Sequence, residues 1–421
     1  MICSKAFEAE KRNARSRTMA AARCSPVSIL FTHFGENWIR GSEQVLIDLT
    51  GHLDKARYRP VVWCNASLLA ERLRQAGVTT YCSEFTTFFG YASPRFSPPR
   101  YFSFVAEGMR LVEKHRIGLL HSNGAAPHQW LLPVARLTRL PLVAHLHAPY
   151  LRRERFVTLL HQASAIVGVS SSVVADFARD GFPASRLRLI ANGVDFNRFH
   201  PGPDRGLRAQ LGLNDNAILV ASVGSLIPRK GFDILIEALA RTGLERLHLA
   251  IAGEGPERAA LEALAAARGL GERVHFLGYQ AEIGPLYRAA DIAALGSRSE
   301  AFGLALAEAG YFNLPAVASA VGGVPDVVAR EETGVLVPSE DIGAFAGALR
   351  TLAENPAERR RLGKAARQRV TSLFSLSRMV GDFERLYDEL LDCSLRSRRG
   401  IDPFPYLRLL ARRTEGPVTQ E

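Results

Sequence analysis

VSILFTHFGENWIRGSEQVLIDLTGHL, residues 27–53, decides the fold. Val27–Thr32 is a short apolar run of strand type. After a loop, Gly41-Ser42-Glu43 opens an amphipathic helix with Val45, Leu46 and Leu49 on its inner side. Strand, glycine turn and helix make the first unit of a Rossmann-like domain. The stretch has no G-x-G-x-x-G, which argues against a dinucleotide site. Strand-like runs recur at Pro60–Trp63, Ile117–His121, Leu142–His147, Ala165–Val169 and Arg188–Ile190. A second series runs through Ile218–Val223, Leu247–Ala252, Val274–Leu277, Asp291–Leu295 and Ala316–Ala318. Helical patterns separate these runs, and that alternation predicts an α/β protein with two parallel sheets, each covered on both faces.

A chain of 421 residues is too long for one ordinary core. We expect a disordered basic extension over residues 1–25, with Met19 as an alternative start, and a first Rossmann-like domain over 26–200. A second domain covers 201–376, entered through the polar, Pro- and Gly-bearing residues 200–215. Residues 377–392 read as an amphipathic helix through Met379, Phe383, Leu386, Tyr387 and Leu390, and 393–421 as an Arg-rich tail that is either interfacial or frayed. The aromatic, Pro-rich segment 84–104 reads as a long loop, for packing or for contact with an acceptor or membrane.

Composition narrows the classes of function. No apolar run reaches the ~18 residues of a membrane span, and the N-terminus lacks the apolar core of a secretory signal. The five cysteines, Cys3, Cys24, Cys64, Cys82 and Cys393, are scattered without C-x-x-C spacing. That pattern argues against a disulfide framework or zinc site and suits a reducing cytoplasm. A net charge of +11 favours anionic partners. The basic residues are dispersed, whereas a nucleic-acid binder would show a basic helix or an aromatic ladder.

SRSEAFGLALAEAGYFNLPAVASAVGGVPDVV, residues 297–328, carries the chemistry. Between Ala301 and Phe312 the one charged residue is Glu308. A helix apolar all round is buried, and a carboxylate in it needs a partner: a ligand, the backbone or an arginine. Glu300 precedes the helix, and the N–H groups of Phe302, Gly303 and Leu304 would sit at its start, where anions bind. Eight helical residues rise about 12 Å, whereas paired glycosidase carboxyls stand ~5–9.5 Å apart. The two carboxylates therefore suit the two ends of one elongated ligand. Lys230-Gly231 opens another helix in a phosphate-binding arrangement that is not a Walker loop. Gly253 and Gly278 end strands where a flat ring could approach backbone. His145 and His147 share a strand face, but no third metal ligand lies near them in sequence.

Glu300-x7-Glu308, Leu314-Pro315 and Gly322-Gly323-Val324-Pro325 together resemble the donor-binding signature of family 4 retaining glycosyltransferases of the GT-B fold, and the match extends over most of the chain. The resemblance implies two Rossmann-like domains facing a cleft, with Asn192-Gly193-Val194-Asp195 as the hinge segment. It implies a nucleotide-diphosphate sugar donor and a glycan or lipid-linked acceptor, as in cell-surface polysaccharide or glycolipid synthesis. His147, Lys230 and Glu300 are the implied catalytic residues. Gly41, Arg229, Lys230, Gly253, Gly278, Glu300, Phe302, Gly303, Leu304 and Glu308 are the implied donor-binding set. No metal and no cofactor are implied. Location would be cytoplasmic, with peripheral contact to the anionic inner face of the membrane. Arg40, Ser225 and Ala301 depart from the family pattern. The alternatives are another GT-B enzyme, such as a nucleotide-sugar epimerase or phosphorylase, a non-catalytic relative, or a basic nucleic-acid-binding protein.

Overall fold

Thirteen strands run through the described part of the chain: β1 Val27–His33, β2 Tyr58–Cys64, β3 Thr79–Cys82, β4 Ile117–Asn123, β5 Leu142–Leu146, β6 Ala165–Gly168, β7 Leu187–Leu189, β8 Ile218–Val223, β9 Leu247–Ala252, β10 Val274–Gly278, β11 Ile292–Leu295, β12 Ala316–Ser319 and β13 Gly334–Val337. The structure, a computed structural model, describes residues 25–86, 88, 97–199 and 206–396. The expectations for residues 1–24, 87, 89–96, 200–205 and 397–421 lie outside them, the first part of the expected linker 200–215 included. The first sheet has the order β3-β2-β1-β4-β5-β6-β7 and the second β10-β9-β8-β11-β12-β13. Parallel pairing flanks β1 with β2 and β4, and β8 with β9 and β11. Both sheets are therefore doubly wound, and the chain reverses direction across each of them beside β1 and beside β8. Ligands of such sheets bind outside the carboxyl ends of the strands at that switch point.

The chain divides into two compact units. One holds the chain through Leu146, Leu151–Val167 and the residues from Val380, and the other holds His147–Tyr150 and Gly168–Met379. The boundary expected from the sequence lies at residue 200. In the structure Asn192–Phe199 packs within the second unit: the Val194 N–H donates to Phe374 O at 2.8 Å, and Phe196 stacks on Tyr311 at 4.6 Å.

The strands formed where apolar runs called for them, with two additions. β3, polar and half-exposed, and β13, led by a glycine, are both edge strands and do not stand out as apolar runs. The long loop expected over 84–104 needs correction, because a helix spans Pro98–His115. Pro98 and Pro99 occupy its first turn, where the missing N–H costs nothing, and Phe104, Val105, Gly108 and Leu111 are its buried face. Phe85, Phe88 and Phe104 surround Trp63 and Trp130, with ring centroids 4.9 Å apart for Trp63–Phe85 and 5.0 Å for Phe85–Trp130. These rings are core. Trp130→Ala is expected to lower unfolding stability by about 3–5 kcal/mol in a urea titration, and a loss below 1 kcal/mol would show that the cluster is peripheral.

The helix Leu376–Arg396 completes the first unit from Val380 onward. Phe383 and Tyr387 are buried in it. The Tyr387 hydroxyl meets His121 Nδ1 at 2.8 Å, and the Tyr58 hydroxyl donates to Asp388 Oδ1 at 2.7 Å. Arg57 reaches Glu384 at 3.2 Å and also pairs with Asp388. Burial and the Asp388 carboxylate push the Tyr58 hydroxyl well above its usual range. No described helix is long and apolar enough to cross a membrane.

Candidate functional site

Two loops leave the second sheet at its switch point, one after β8 and one after β11. The first ends in the turn Pro228–Lys230 and enters the helix Phe232–Thr242 through Gly231. The second, residues 296–303, enters the helix Leu304–Tyr311 through Gly303. Their side chains meet: Lys230 Nζ lies 2.5 Å from Glu300 Oε2, and Ser297 Oγ donates to the same oxygen at 3.4 Å. Both partners are mostly buried, with side chains 17% and 12% exposed. Arg229 Nη1 donates to Ser299 O at 2.8 Å, and the Arg298 N–H donates back to Arg229 O at 2.9 Å. Arg298 also grips Asp233 through two bonds of 2.7 and 3.0 Å. Burial works against the Asp233 carboxylate, but the Arg298 guanidinium outweighs it and holds the carboxyl below its usual range.

The backbone of Glu300 is seated by a second pair of residues. The Gly323 N–H donates to Glu300 O at 3.0 Å. Gly322 has φ +54°, and a Cβ there would stand 1.8 Å from the same carbonyl oxygen. A Cβ on Gly323 would stand 2.1 Å from Ala301 O. In the sequence Gly322-Gly323 stands only as part of a motif. Its task is to let two backbones touch, so that Glu300 is held from behind.

The N–H groups of Phe302, Gly303 and Leu304 meet no hydrogen-bond acceptor among the described residues. They are open donors at a helix start, where partial positive charge accumulates. The ring of Phe302 takes no part, being buried against Phe374 with centroids 5.3 Å apart. Glu308, further along the helix, pairs with Arg198 and accepts the Tyr287 hydroxyl at 3.3 Å. Its partner inside the protein is therefore an arginine, one of the three partners that the sequence leaves open. Nothing in the sequence marks Arg198 as that partner, since 110 residues separate the two. Phe196 and Phe199 flank Arg198 and stack on Tyr311, which fixes its approach.

Gly253 and Gly278 lie at the ends of β9 and β10. The Gly253 N–H donates to Gly278 O at 2.8 Å, and a Cβ on Gly253, at φ +146°, would stand 1.9 Å from Gly224 O. Close loop packing thus requires Gly253, beside the turn that carries Lys230.

In the first unit, Gly41 begins the helix Gly41–His52, preceded by Arg40, whose guanidinium lies 3.3 Å over the Trp38 ring. The Arg40 N–H donates to Glu43 Oε2 at 3.0 Å, and Glu43 Oε1 meets His33 Nε2 at 2.9 Å. Burial opposes the Glu43 carboxylate, yet His33 and backbone donors outweigh it and hold the carboxyl below its usual range. Because the native value is the lower one, the stabilisation is complete above the unfolded-state value. It is lost as pH falls through the native value. Glu43→Gln is expected to flatten that acid limb in melting temperatures measured from pH 7 to pH 3; an unchanged acid limb would show that other carboxylates set it. His145 packs between His121 and Phe383, at 5.4 and 4.8 Å, as a core ring. His147 follows β5 and is half-buried. Among the described residues no group of three His, Cys, Asp or Glu side chains is placed to hold a metal ion.

Comparison with known proteins agrees with this architecture. The family Glycosyltransferase Family 4 matches residues 39–198, and the family Glycosyl transferases group 1 matches residues 204–369. A GDP-mannose-dependent alpha-(1-6)-phosphatidylinositol monomannoside mannosyltransferase of Mycolicibacterium smegmatis is 32% identical over 279 residues, covering 61% of this chain and 73% of that one. A D-inositol 3-phosphate glycosyltransferase of Mycobacterium sp. (strain JLS) is 41% identical over 183 residues, 42% of each chain. The chain spans about half the length, or less, of the curated relatives of this second kind. Among solved structures, Anabaena HepE in complex with UDP-glucose superposes with a TM-score of 0.75 at 24% identity, covering 86% of this chain and 99% of that one. A glycosyltransferase from Rickettsia africae gives 0.78 at 18% identity, covering 87% and 99%. Two doubly wound α/β units of this kind define the GT-B class. The chain belongs to the family 4 glycosyltransferases.

Proposed function

We propose that the protein is a retaining glycosyltransferase that moves a sugar from a nucleotide-diphosphate sugar to a glycan or lipid-linked acceptor in the synthesis of a cell-surface polysaccharide or glycolipid. The observation that carries this reading is the contact of Lys230 with Glu300 beside the open N–H groups of Phe302, Gly303 and Leu304. A cation and three amides in one place suit a diphosphate, and a mostly buried carboxylate suits sugar hydroxyls. On donor binding, Lys230 turns from Glu300 to the phosphates, and Glu300 accepts hydroxyls of the sugar. The bond from the anomeric carbon to the diphosphate breaks as the bond to the acceptor oxygen forms on the same face. The acceptor proton passes to the departing phosphate oxygen. His147 positions the donor sugar or the acceptor, Gly41, Gly253 and Gly278 admit the donor close to backbone, and Arg229 adds positive potential.

Named relatives act with GDP-mannose or were crystallised with UDP-glucose, which supports a nucleotide-sugar donor. A thermal-shift panel of such donors tests the reading: the true donor at 100 times its dissociation constant stabilises the fold by about 2.7 kcal/mol. No shift with any nucleotide sugar would overturn it. Product NMR should show the donor's anomeric configuration retained, as same-face transfer requires, and turnover should survive a chelator, since Lys230 and the amides take the charge that a metal would otherwise neutralise; inversion, or complete loss of activity with chelator, would count against this mechanism.

The two carboxylates have separate tasks in this proposal. Glu308 holds the ribose of the nucleotide and Glu300 the sugar. Glu308→Gln is expected to weaken the free nucleoside diphosphate by about 10–150-fold, the worth of a charged hydrogen bond. Glu300→Gln leaves that affinity nearly unchanged and lowers turnover. Calorimetric titration of both variants decides, and equal losses in the two would refute the division.

A further inference from the structure

The sequence separates Cys64 and Cys82 by a helix, and the fold brings them together. β2 and β3 run parallel with Cys64 directly opposite Cys82. One residue earlier in the same register, Trp63 faces Tyr81, and both pack into the aromatic cluster around Trp130. Alternation then places both cysteines on the other face of the sheet, side by side. Neighbouring strands lie ~4.7–4.9 Å apart, inside the ~4.4–6.8 Å that a disulfide spans between Cα atoms. Cys64 is fully buried and Cys82 is exposed. Burial pushes the Cys64 thiol up to about 12, and the neighbouring Cys82 adds to the rise.

We propose that Cys64 and Cys82 form a thiol–disulfide modification site that closes with low-molecular-weight disulfides such as glutathione disulfide. The exposed Cys82 thiolate attacks the oxidant, breaks its S–S bond and releases one small thiol. The Cys64 thiolate then attacks the Cys82 sulfur and expels the second small thiol as the protein S–S bond forms. Two electrons pass to the oxidant, and the two cysteine protons end on the released thiols.

The position gives the bond a consequence. β3 is the edge strand of its sheet and has four residues, so the bond staples a weakly held edge. It also forms next to Asn65, which holds Gly35 through bonds of 2.9 and 2.7 Å, and near Leu68, whose N–H donates to Asn37 at 2.8 Å. Those contacts fix the loop that leads to Arg40 and Gly41.

The test uses the full chain with Cys3, Cys24 and Cys393 replaced by serine. The folded protein is incubated with glutathione disulfide, quenched in acid, unfolded and alkylated. The expected product has lost both free thiols, carries no glutathione and yields a peptide pair joined through Cys64 and Cys82. Cys64→Ser should instead keep one glutathione on Cys82. The burial of Cys64 makes the second step slow, and its rate should rise about tenfold per pH unit over the neutral range. A stable glutathione adduct on Cys82 with Cys64 still alkylatable overturns the proposal, as does a chain in which both thiols remain free.

Discussion

Lys230→Ala is expected to lower kcat/KM by roughly 10²–10³-fold, the usual effect of removing one group aimed at developing negative charge. The lysine has one mobile cation and, in the structure, one carboxylate to hold it, Glu300. Without donor that contact neutralises two mostly buried charges. In the proposed donor complex the lysine turns from Glu300 to the phosphates beside the open amides of residues 302–304. On the proposed mechanism its loss removes charge stabilisation at the leaving group, and in the structure it leaves Glu300 without its counter-ion. A double-mutant cycle with Glu300→Gln separates the two effects. The double variant should be less impaired than the product of the single losses, because the stranded carboxylate is gone. Initial rates of nucleoside diphosphate release provide the measurement. A loss under threefold in Lys230→Ala would remove this residue from the mechanism. Arg229→Ala should cost much less, since its guanidinium is exposed and already engaged by the Ser299 carbonyl.

Gly322→Ala is expected to destabilise the fold by roughly 2–5 kcal/mol, from left-handed backbone strain together with overpacking. The carbonyl that meets the new methyl belongs to Glu300, and a peptide oxygen 1.8 Å away cannot rotate aside as a side chain would. The loop must move, and the movement displaces the Glu300 side chain from Lys230. Activity should therefore fall further than stability alone explains, even at temperatures where the variant is folded. Gly51→Ala is the control, since nothing lies within 4 Å of a Cβ there and the position is helical. It should be neutral or gain up to about 1 kcal/mol. Circular dichroism melts beside turnover rates compare the two. Equal behaviour would show that the contact at Gly322 is relieved without cost.

Local chemistry explains what could be read from the chain alone. Apolar runs such as Val27–Thr32 and Ile218–Val223 are strands because both faces of a parallel strand are buried. β3 escaped notice because Thr79–Cys82 is a polar, half-exposed edge. The helix from Pro98 was hidden by aromatic and proline content, although two prolines in a row are themselves a helix-start signal. Within the site, Lys230, Glu300 and the amides of 302–304 were legible because each is a local device: a turn, a carboxylate, a helix start. What joins them was not. The partnership of Arg198 with Glu308 and the seat that Gly322 gives Glu300 depend on contacts between distant segments. So does the pairing of Cys64 with Cys82. A single sequence carries no trace of such contacts.

The helix Leu376–Arg396 imposes an order on synthesis. Tyr58, His121 and Arg57 are made early, yet their partners Tyr387, Asp388 and Glu384 leave the ribosome about 265–330 residues later. Until then the sheet built from β1, β2 and β4 lacks the covering rings of Phe383 and Tyr387 and exposes apolar surface. The unit that begins the chain is thus the last to be finished, while Gly168–Met379 already holds most of its own contacts. A nascent chain of this protein would pass through a stage with one unit mature and the other waiting, and that waiting surface is where a chaperone would bind.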